Sequence, residues 1–221
     1  PHITQVGECT FSSCERLKKV EFSENCEIKI LDKSLFSKSS IESLSIPSNI
    51  EEFKEDWCRE ISELKNIKIY PKKDKNIIYY ENIFILGKSK IKSDIYDILL
   101  FARRDIEKAI IPSFIKQIGS YALSDCYKLE SVEFEDDSKL EKIGQYAFSY
   151  SLLKHFCIPQ NVTRISEGSF SFCCQLKSIE FSEKSKLDSI GEYGFYNCPL
   201  ESISIPSSFT KFKKAWCFGI P

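Results

Sequence analysis

His155 and Cys157 are the residues whose types and spacing come closest to those of a catalytic pair. They lie two positions apart in His155-Phe156-Cys157-Ile158, where alternation along a strand would place both side chains on one outward face. A thiol beside an imidazole is the arrangement of a cysteine nucleophile and its general base. Catalysis also needs oxyanion donors and a third residue that orients the base, and the sequence indicates neither. We therefore predict that the protein is not an enzyme.

No other sequence pattern indicates a cofactor or a metal. The chain has neither a Gly-rich phosphate loop nor paired C-x-x-C zinc knuckles, and it contains two histidines. Its 31 basic and 32 acidic residues leave no net field that would attract nucleic acid or an anionic membrane. No apolar run reaches the roughly 18 residues that cross a bilayer. We expect no cofactor, no metal, no nucleic-acid partner and no membrane insertion by this segment.

The composition predicts a folded protein. Hydrophobic residues make up 42% and aromatic residues 13% of the 221 residues, which argues against disorder and allows a sizeable core. The chain begins with proline, contains no methionine and shows no signal segment. We expect it to be a processed chain or a piece of a longer one.

An internal repeat organises the chain. One large apolar residue, called the mark here, recurs at spacings of 25, 21, 66, 25, 22, 25 and 21 residues. The marks are Phe11, Phe36, Trp57, Leu123, Phe148, Phe170, Phe195 and Trp216. Units of 21 to 25 residues are too small to close a core alone, so they must stack as the coils of a solenoid.

Each unit is predicted to contain one strand and one turn of helix. Segments such as Ser178-Ile179-Glu180-Phe181 alternate as a strand with one buried face does. Upstream of a mark, Ile143 and Ala147 are four residues apart, which suits a single helical turn. The predicted fold is an α/β repeat solenoid, in which equivalent strands form one parallel β-sheet and short helical turns complete each coil.

Three segments resemble the BspA-like (Treponema pallidum type) leucine-rich repeat. They run from Ile118-Gly119 to Leu129, from Ile158-Pro159 to Ile165 and from Ile190-Gly191 to Cys198. The resemblance covers residues 1 to about 70 and about 105 to 217. It implies a leucine-rich repeat fold, and a cell-surface or secreted protein of a bacterium or a parasitic protist.

The 66-residue gap between marks indicates an insertion. Residues 83–87 and 97–102 are predicted to be two strands of a β-hairpin, next to a solvated lysine-rich run at 72–75. Phe101 could itself be a mark, and the two interpretations could both hold in part. We favour the hairpin, with Ala109 and Ile111 still contributing to the common sheet. The predicted domains are a first repeat block at 1–70, the hairpin insertion at 71–104 and a second repeat block at 105–221.

The ten cysteines recur with the coils. Four of them lie three residues after a mark, and this periodicity favours buried packing positions over a disulfide framework. These four are Cys14, Cys126, Cys173 and Cys198. The alternative is a disulfide between Cys173 and Cys198, which would lie in adjacent coils.

Two rows of side chains should project outward from the predicted sheet. The first row is Lys19, Ser43, Asn66, Lys108, Ser131, His155, Ser178 and Ser202. The second row is Glu21, Ser45, Lys68, Ile110, Glu133, Cys157, Glu180 and Ser204. Such rows form a broad, shallow, polar platform for a macromolecule, unlike a deep apolar ligand pocket. The candidate partner-binding residues are Lys68, Lys108, Ile110, Glu133, His155, Cys157, Glu180 and Ser204.

Two functions follow from these observations. The resemblance implies a non-catalytic adhesion module that binds host matrix or cell-surface proteins from the cell surface or after secretion. The alternative is a cytoplasmic scaffold that binds intracellular proteins through the same platform. Unpaired thiols and the missing signal segment favour that alternative.

Overall fold

The structure, a computed structural model, describes residues 3–47, 49–70, 76–90 and 92–219. The run at 72–75 lies outside these residues. Within them the chain forms short strands connected by turns, and no helix that could cross a bilayer is found. The strands are β1 (Lys19–Glu21), β2 (Ile30–Leu31), β3 (Ser43–Ile46), β4 (Glu52–Phe53), β5 (Asn66–Ile69), β6 (Ile77–Tyr80), β7 (Phe84–Gly87), β8 (Ile98–Ala102), β9 (Lys108–Ile111), β10 (Gln117–Ile118), β11 (Ser131–Phe134), β12 (Lys142–Ile143), β13 (His155–Ile158), β14 (Arg164–Ile165), β15 (Ser178–Phe181), β16 (Ser189–Ile190), β17 (Ser202–Ile203) and β18 (Lys211–Phe212).

The strands predicted from the repeat form one side of the solenoid, which we call the first wall. This wall comprises β1, β3, β5, β9, β11, β13, β15 and β17. Their pairing is parallel and follows the repeat, so that His155 pairs with Ser178, and Phe156 pairs with Ile179. The two predicted rows are therefore in register wherever these strands pair. The wall consists of three hydrogen-bonded groups, β1-β3-β5, β9-β11 and β13-β15-β17. The prediction of one continuous sheet is wrong in this respect, partly because the insertion separates β5 from β9.

A second wall of two-residue strands closes the other side of each coil. Strands β10, β12, β14, β16 and β18 pair in parallel in that order, and β2 pairs with β4. The isoleucines of the Ile-Gly pairs lie in this wall, where Ile118 pairs with Ile143 and both are fully buried. Each coil thus contributes two strands rather than the predicted one.

Consecutive β-turns replace the predicted helical turns. The Ala147 amide donates to the Gly144 carbonyl, a span of three residues, whereas an α-helix requires four. Tyr146, the third residue of that turn, has a φ of 52°, which a right-handed helix cannot contain. The Phe148 amide donates across to Ser169 of the next coil at 2.8 Å. The helix prediction is wrong because a run of turns places apolar residues at the same spacing.

Aromatic marks stack along the interior of the second block. The ring of Phe170 stacks on Phe148 at 5.1 Å and on Phe195 at 5.2 Å between centroids. Phe156 of the first wall contacts Phe170 edge to face at 4.8 Å. All four side chains are fully buried, so neighbouring coils share one apolar interior.

The insertion lies between two buried clusters, one formed mainly by the coils before it and one by the coils after it. Strand β7 pairs antiparallel with both β6 and β8, and β8 continues in parallel with β10. Ile85 faces the first cluster, whereas Phe84 and Leu86 face the second, so β7 is buried on both sides. The predicted strands are present as β7 and β8, and β6 was not predicted. The three domain boundaries stay a prediction.

Phe101 belongs to the predicted hairpin and also packs in the core as a mark does. Its backbone belongs to β8, whereas its ring is fully buried in the first cluster, 5.5 Å from the ring of Trp57. Ala109 and Ile111 lie in β9 and are buried, as predicted. The insertion therefore supplies a core residue as well as two further strands.

Arg104 joins the two blocks, and its side chain is buried although it is charged. Its guanidinium donates to the carbonyls of Ile61 at 2.8 Å, Ala122 at 2.9 Å and Tyr121 at 3.1 Å. Longer contacts reach two more carbonyls. Burial raises the pKa of the adjacent Cys58 thiol to about 12, so this thiol stays neutral beside the cation at physiological pH. Backbone dipoles from both sides of the junction thus solvate this charge.

The cysteines that follow the marks hydrogen-bond to the preceding coil. Cys173 donates to the Phe148 carbonyl at 3.2 Å, and Cys198 donates to the Phe170 carbonyl at 2.9 Å. Both thiols are buried, as is Cys126, whereas Cys14 is only half-buried. All ten cysteines are free in this structure, so the packing interpretation agrees with it and the Cys173–Cys198 disulfide does not.

Gly144 is expected to tolerate no side chain, because a Cβ there would lie 2.6 Å from the carbonyl carbon of Gly119 in the preceding coil. Gly144→Ala should lower the free energy of unfolding by about 1–3 kcal/mol through this overpacking. Urea denaturation followed by far-UV circular dichroism measures the change.

Gly7→Ala is the matched control, because the only atom near its added Cβ is Thr10 Oγ1 at 4.0 Å. We expect this control to change the stability by less than about 0.5 kcal/mol. Equal effects at Gly144 and Gly7 would show that close approach of the coils does not explain the Ile-Gly pairs.

Candidate functional site

The eight candidate residues are all exposed and lie on the outer side of the first wall, which we call the sheet face. They are Lys68 on β5, Lys108 and Ile110 on β9, Glu133 on β11, His155 and Cys157 on β13, Glu180 on β15 and Ser204 just after β17. Pairing of β9 with β11 brings Lys108, Ile110 and Glu133 together. Pairing of β13 with β15 brings His155, Cys157 and Glu180 together. Lys68 belongs to a separate sheet, and Ser204 lies beyond the end of its strand. Their role in binding stays a prediction.

Charges on the sheet face are largely paired with each other. Lys108 Nζ lies 2.6 Å from Glu133 Oε1, and both side chains are about half exposed. Ile110, which is 50% exposed, pairs directly with Glu133 and adds an apolar surface beside this ion pair. Ser45 of the second predicted row is buried and donates to the Phe22 carbonyl, so it is not available to a partner. The platform is therefore polar, as predicted, but not continuous.

His155, Cys157 and Glu180 form a compact cluster on this face. His155 Nε2 lies 3.1 Å from Cys157 Sγ and 3.8 Å from Glu180 Oε2, and the sulfur lies 3.6 Å from the same carboxylate oxygen. His155 Nδ1 contacts the Ser178 hydroxyl at 2.8 Å, which fixes the ring. The cluster thus combines a thiol, an imidazole and a carboxylate in adjacent strands.

The surroundings of Cys157 do not activate it as a nucleophile. Partial burial raises the pKa of its thiol, and the Glu180 carboxylate, which accepts a hydrogen bond from it, raises the pKa further. Reactive cysteines instead have a lowered pKa, because the thiolate is the nucleophile. The raised pKa of the thiol argues against a catalytic His155–Cys157 pair, and the lack of catalysis stays a prediction.

Sequence reasoning missed a second surface, formed by aromatic side chains on the turns. Tyr121 stacks on Tyr146 at 5.2 Å, and Tyr150 stacks on Phe172 at 4.7 Å between ring centroids. We call these and three further residues the aromatic belt, which is Tyr121, Tyr146, Tyr150, Phe172, Tyr193, Tyr196 and Phe218. Most of them lie two residues before or after a mark, and that recurrence was a signal in the sequence.

The aromatic belt borders a shallow cleft of about 370 Å³ beside the junction of the two blocks. Arg59 lies in the lining, with its guanidinium 5.9 Å from the centre of the Tyr121 ring. Burial raises the pKa of Tyr121 and that of Tyr146 to about 12, so both hydroxyls stay neutral at physiological pH. Tyrosine and arginine are frequent in the energetic centres of protein interfaces. The belt is therefore a second candidate binding surface.

The repeats of this chain match the model of a known repeat family. The model described as "BspA type Leucine rich repeat region" matches residues 1–98 and 95–219, with six copies of the repeat. No curated protein matched the chain.

Three solved structures of similar fold come from bacteria. A leucine-rich repeat protein from Eubacterium ventriosum is 18% identical, with a TM-score of 0.53 over 99% of this chain and 68% of that one. The pneumococcal vaccine antigen PcpA is 19% identical, with a TM-score of 0.65 over 86% of this chain and 51% of its own. A leucine-rich repeat protein from Bacteroides ovatus is also 19% identical, with a TM-score of 0.52 over 94% of this chain and 48% of that one. The chain thus spans about half the length of the last two.

Proposed function

Because the chain belongs to the BspA-type leucine-rich repeat family, we propose that it is a non-catalytic protein-binding module that acts in adhesion at the cell surface. In this proposal the sheet face binds proteins of a host, such as matrix or cell-surface proteins, or those of another partner. The observation that carries the proposal is the exposed, in-register array of charged and polar side chains over a fully packed core. Such a surface suits a macromolecule better than a small ligand.

The location of the protein is also part of the proposal. One structure of similar fold is described as a vaccine antigen, which supports a location at the cell surface or outside the cell. The alternative remains an intracellular scaffold, which the ten free cysteines favour, because thiols persist in reducing compartments. Counting thiols in protein isolated under denaturing, non-reducing conditions tests the location. Several disulfides would exclude the scaffold.

Charge reversal on the sheet face should weaken partner binding without unfolding the protein. Glu133→Lys and Glu180→Lys are each expected to reduce binding at least about fivefold, because they place a cation where the partner meets an anion. The melting temperature should change by less than about 2 °C, since exposed ion pairs contribute little to stability. Binding of labelled protein to cultured epithelial cells and to immobilised matrix proteins measures the effect.

Two further variants identify the face that binds. Glu183→Lys makes the same charge change on an exposed residue in the turn after β15, and it should leave binding unchanged. Tyr150→Ala removes an exposed aromatic side chain from the aromatic belt. If Tyr150→Ala abolishes binding and the two sheet-face variants do not, the aromatic belt is the binding surface and our assignment of the face is wrong.

A further inference from the structure

His155, Cys157 and Glu180 present three kinds of metal ligand to one point above the sheet face. In the described part of the chain, no other group of three His, Cys, Asp or Glu side chains converges in this way. Their ligand atoms all lie within 4.8 Å of one another. Two adjacent strands bring the three ligands together. His155 and Cys157 share one face of β13, and Glu180 on the neighbouring strand β15 is paired with Cys157.

We propose that these three side chains bind a zinc-class divalent cation through His155 Nε2, Cys157 Sγ and a Glu180 carboxylate oxygen. Zinc bond lengths of about 2.0–2.3 Å at a tetrahedral angle place pairs of ligand atoms about 3.3–3.6 Å apart. The three separations here are 3.1, 3.6 and 3.8 Å, so small side-chain adjustments reach that geometry. All three residues are exposed, so water occupies the fourth position.

The surroundings hold the ligands in place before a metal arrives. Ser178 contacts His155 Nδ1 and leaves Nε2 directed at the cluster, which is the usual role of a residue behind a ligating histidine. Phe156, between the two ligands of β13, is fully buried in the aromatic core and fixes the strand. Backbone reorganisation on binding should therefore be small.

The ligand types determine which metal fits. A thiolate and an imidazole favour zinc and its neighbours among the divalent transition metals, whereas magnesium and calcium prefer oxygen ligands alone. Binding releases the thiol proton to the solvent, since the thiolate is the ligand. This inference does not depend on the proposed adhesive function, because it requires no protein partner.

The test is metal titration of the intact, reduced chain after removal of metals with a chelator. Cobalt(II) should produce a thiolate-to-cobalt charge-transfer band at one equivalent, and zinc should abolish it by displacement. Cys157→Ser should remove the band, and His155→Ala should weaken zinc binding at least about 100-fold in competition with a chromophoric chelator. Ser178→Ala should weaken it by about tenfold. Magnesium should compete with neither metal.

Matched controls make the result specific. Cys174→Ser removes another exposed thiol, and Glu133→Gln neutralises another carboxylate of the sheet face. Both should bind zinc as the unaltered chain does. A cobalt band that survives Cys157→Ser, or no band in the unaltered chain, would overturn the proposal. Circular dichroism confirms that each variant is folded, and His155→Gln replaces His155→Ala if the latter is not.

Discussion

Replacing Arg104 with methionine should lower the free energy of unfolding by about 3–5 kcal/mol. The guanidinium donates to five backbone carbonyls, and methionine removes this donor from all of them, although Ala122 and Tyr121 keep the bonds that they accept from the Ala102 and Ser124 amides. Buried acceptors that lose their partner cost more than the hydrogen bond contributed, because water cannot replace it. Urea denaturation followed by tryptophan fluorescence and circular dichroism measures the loss.

Arg103→Met provides the control at the adjacent residue. Arg103 is about one-third exposed and forms an ion pair with Asp105 at 2.6 Å. Arg103→Met should therefore lower the free energy of unfolding by no more than about 1 kcal/mol. Trp57 lies in the first block and Trp216 in the second, so fluorescence reports on both sides of the junction. Similar losses for Arg103→Met and Arg104→Met would contradict a special role for the buried cation.

Phe170→Ala is expected to have an effect of similar size, about 3–5 kcal/mol. The ring is fully buried between the marks of the preceding and following coils, at 5.1 Å from Phe148 and 5.2 Å from Phe195. Truncation to alanine leaves a cavity in place of the ring. Neighbouring coils cannot move together to close this cavity, because their backbones are hydrogen-bonded to each other at fixed spacing. The same urea titration measures the change.

Phe172→Ala tests whether burial, rather than aromatic identity, accounts for this loss. Phe172 lies two residues later in the same coil, and it is only half-buried, stacked on Tyr150 at the surface. We expect it to cost about 1 kcal/mol. If the two variants lose equal stability, the interior stack of marks is not the dominant contribution of this coil.

The positions of the first-wall strands could be predicted from the sequence, whereas the structure of the turns could not. Rows such as Lys108 with Ser131 and His155 with Ser178 follow from the repeat, because a fixed period forces equivalent residues into register. The turns were assigned as helical because spacing alone does not report the sign of φ. A positive φ at a residue such as Tyr146 has no reliable signal in sequence.

The candidate sites were likewise predictable only where they follow from the repeat. The sequence placed Cys157 and Glu180 in one row, but a metal cluster depends on distances between side chains of different strands. Strand β6 was missed because it belongs to the insertion and therefore lacks a counterpart in the repeat. The aromatic belt was missed because the exposure of its side chains depends on the conformation of the turns, with a positive φ at residues such as Tyr150 and Phe172, which the repeat spacing does not report.

The hydrogen bonds between coils have a consequence for how such a surface can evolve. The Tyr146 amide donates to the Glu167 carbonyl, and the Gly168 amide donates to the Glu192 carbonyl, each at 2.9 Å. These bonds involve only the main chain, so they do not depend on the outer side chains of the turns, except at glycines such as Gly168, where a positive φ and the neighbouring Tyr146 ring exclude a Cβ. Mutation can therefore diversify the outer residues coil by coil, while duplication of coils extends the scaffold without redesign of its joints.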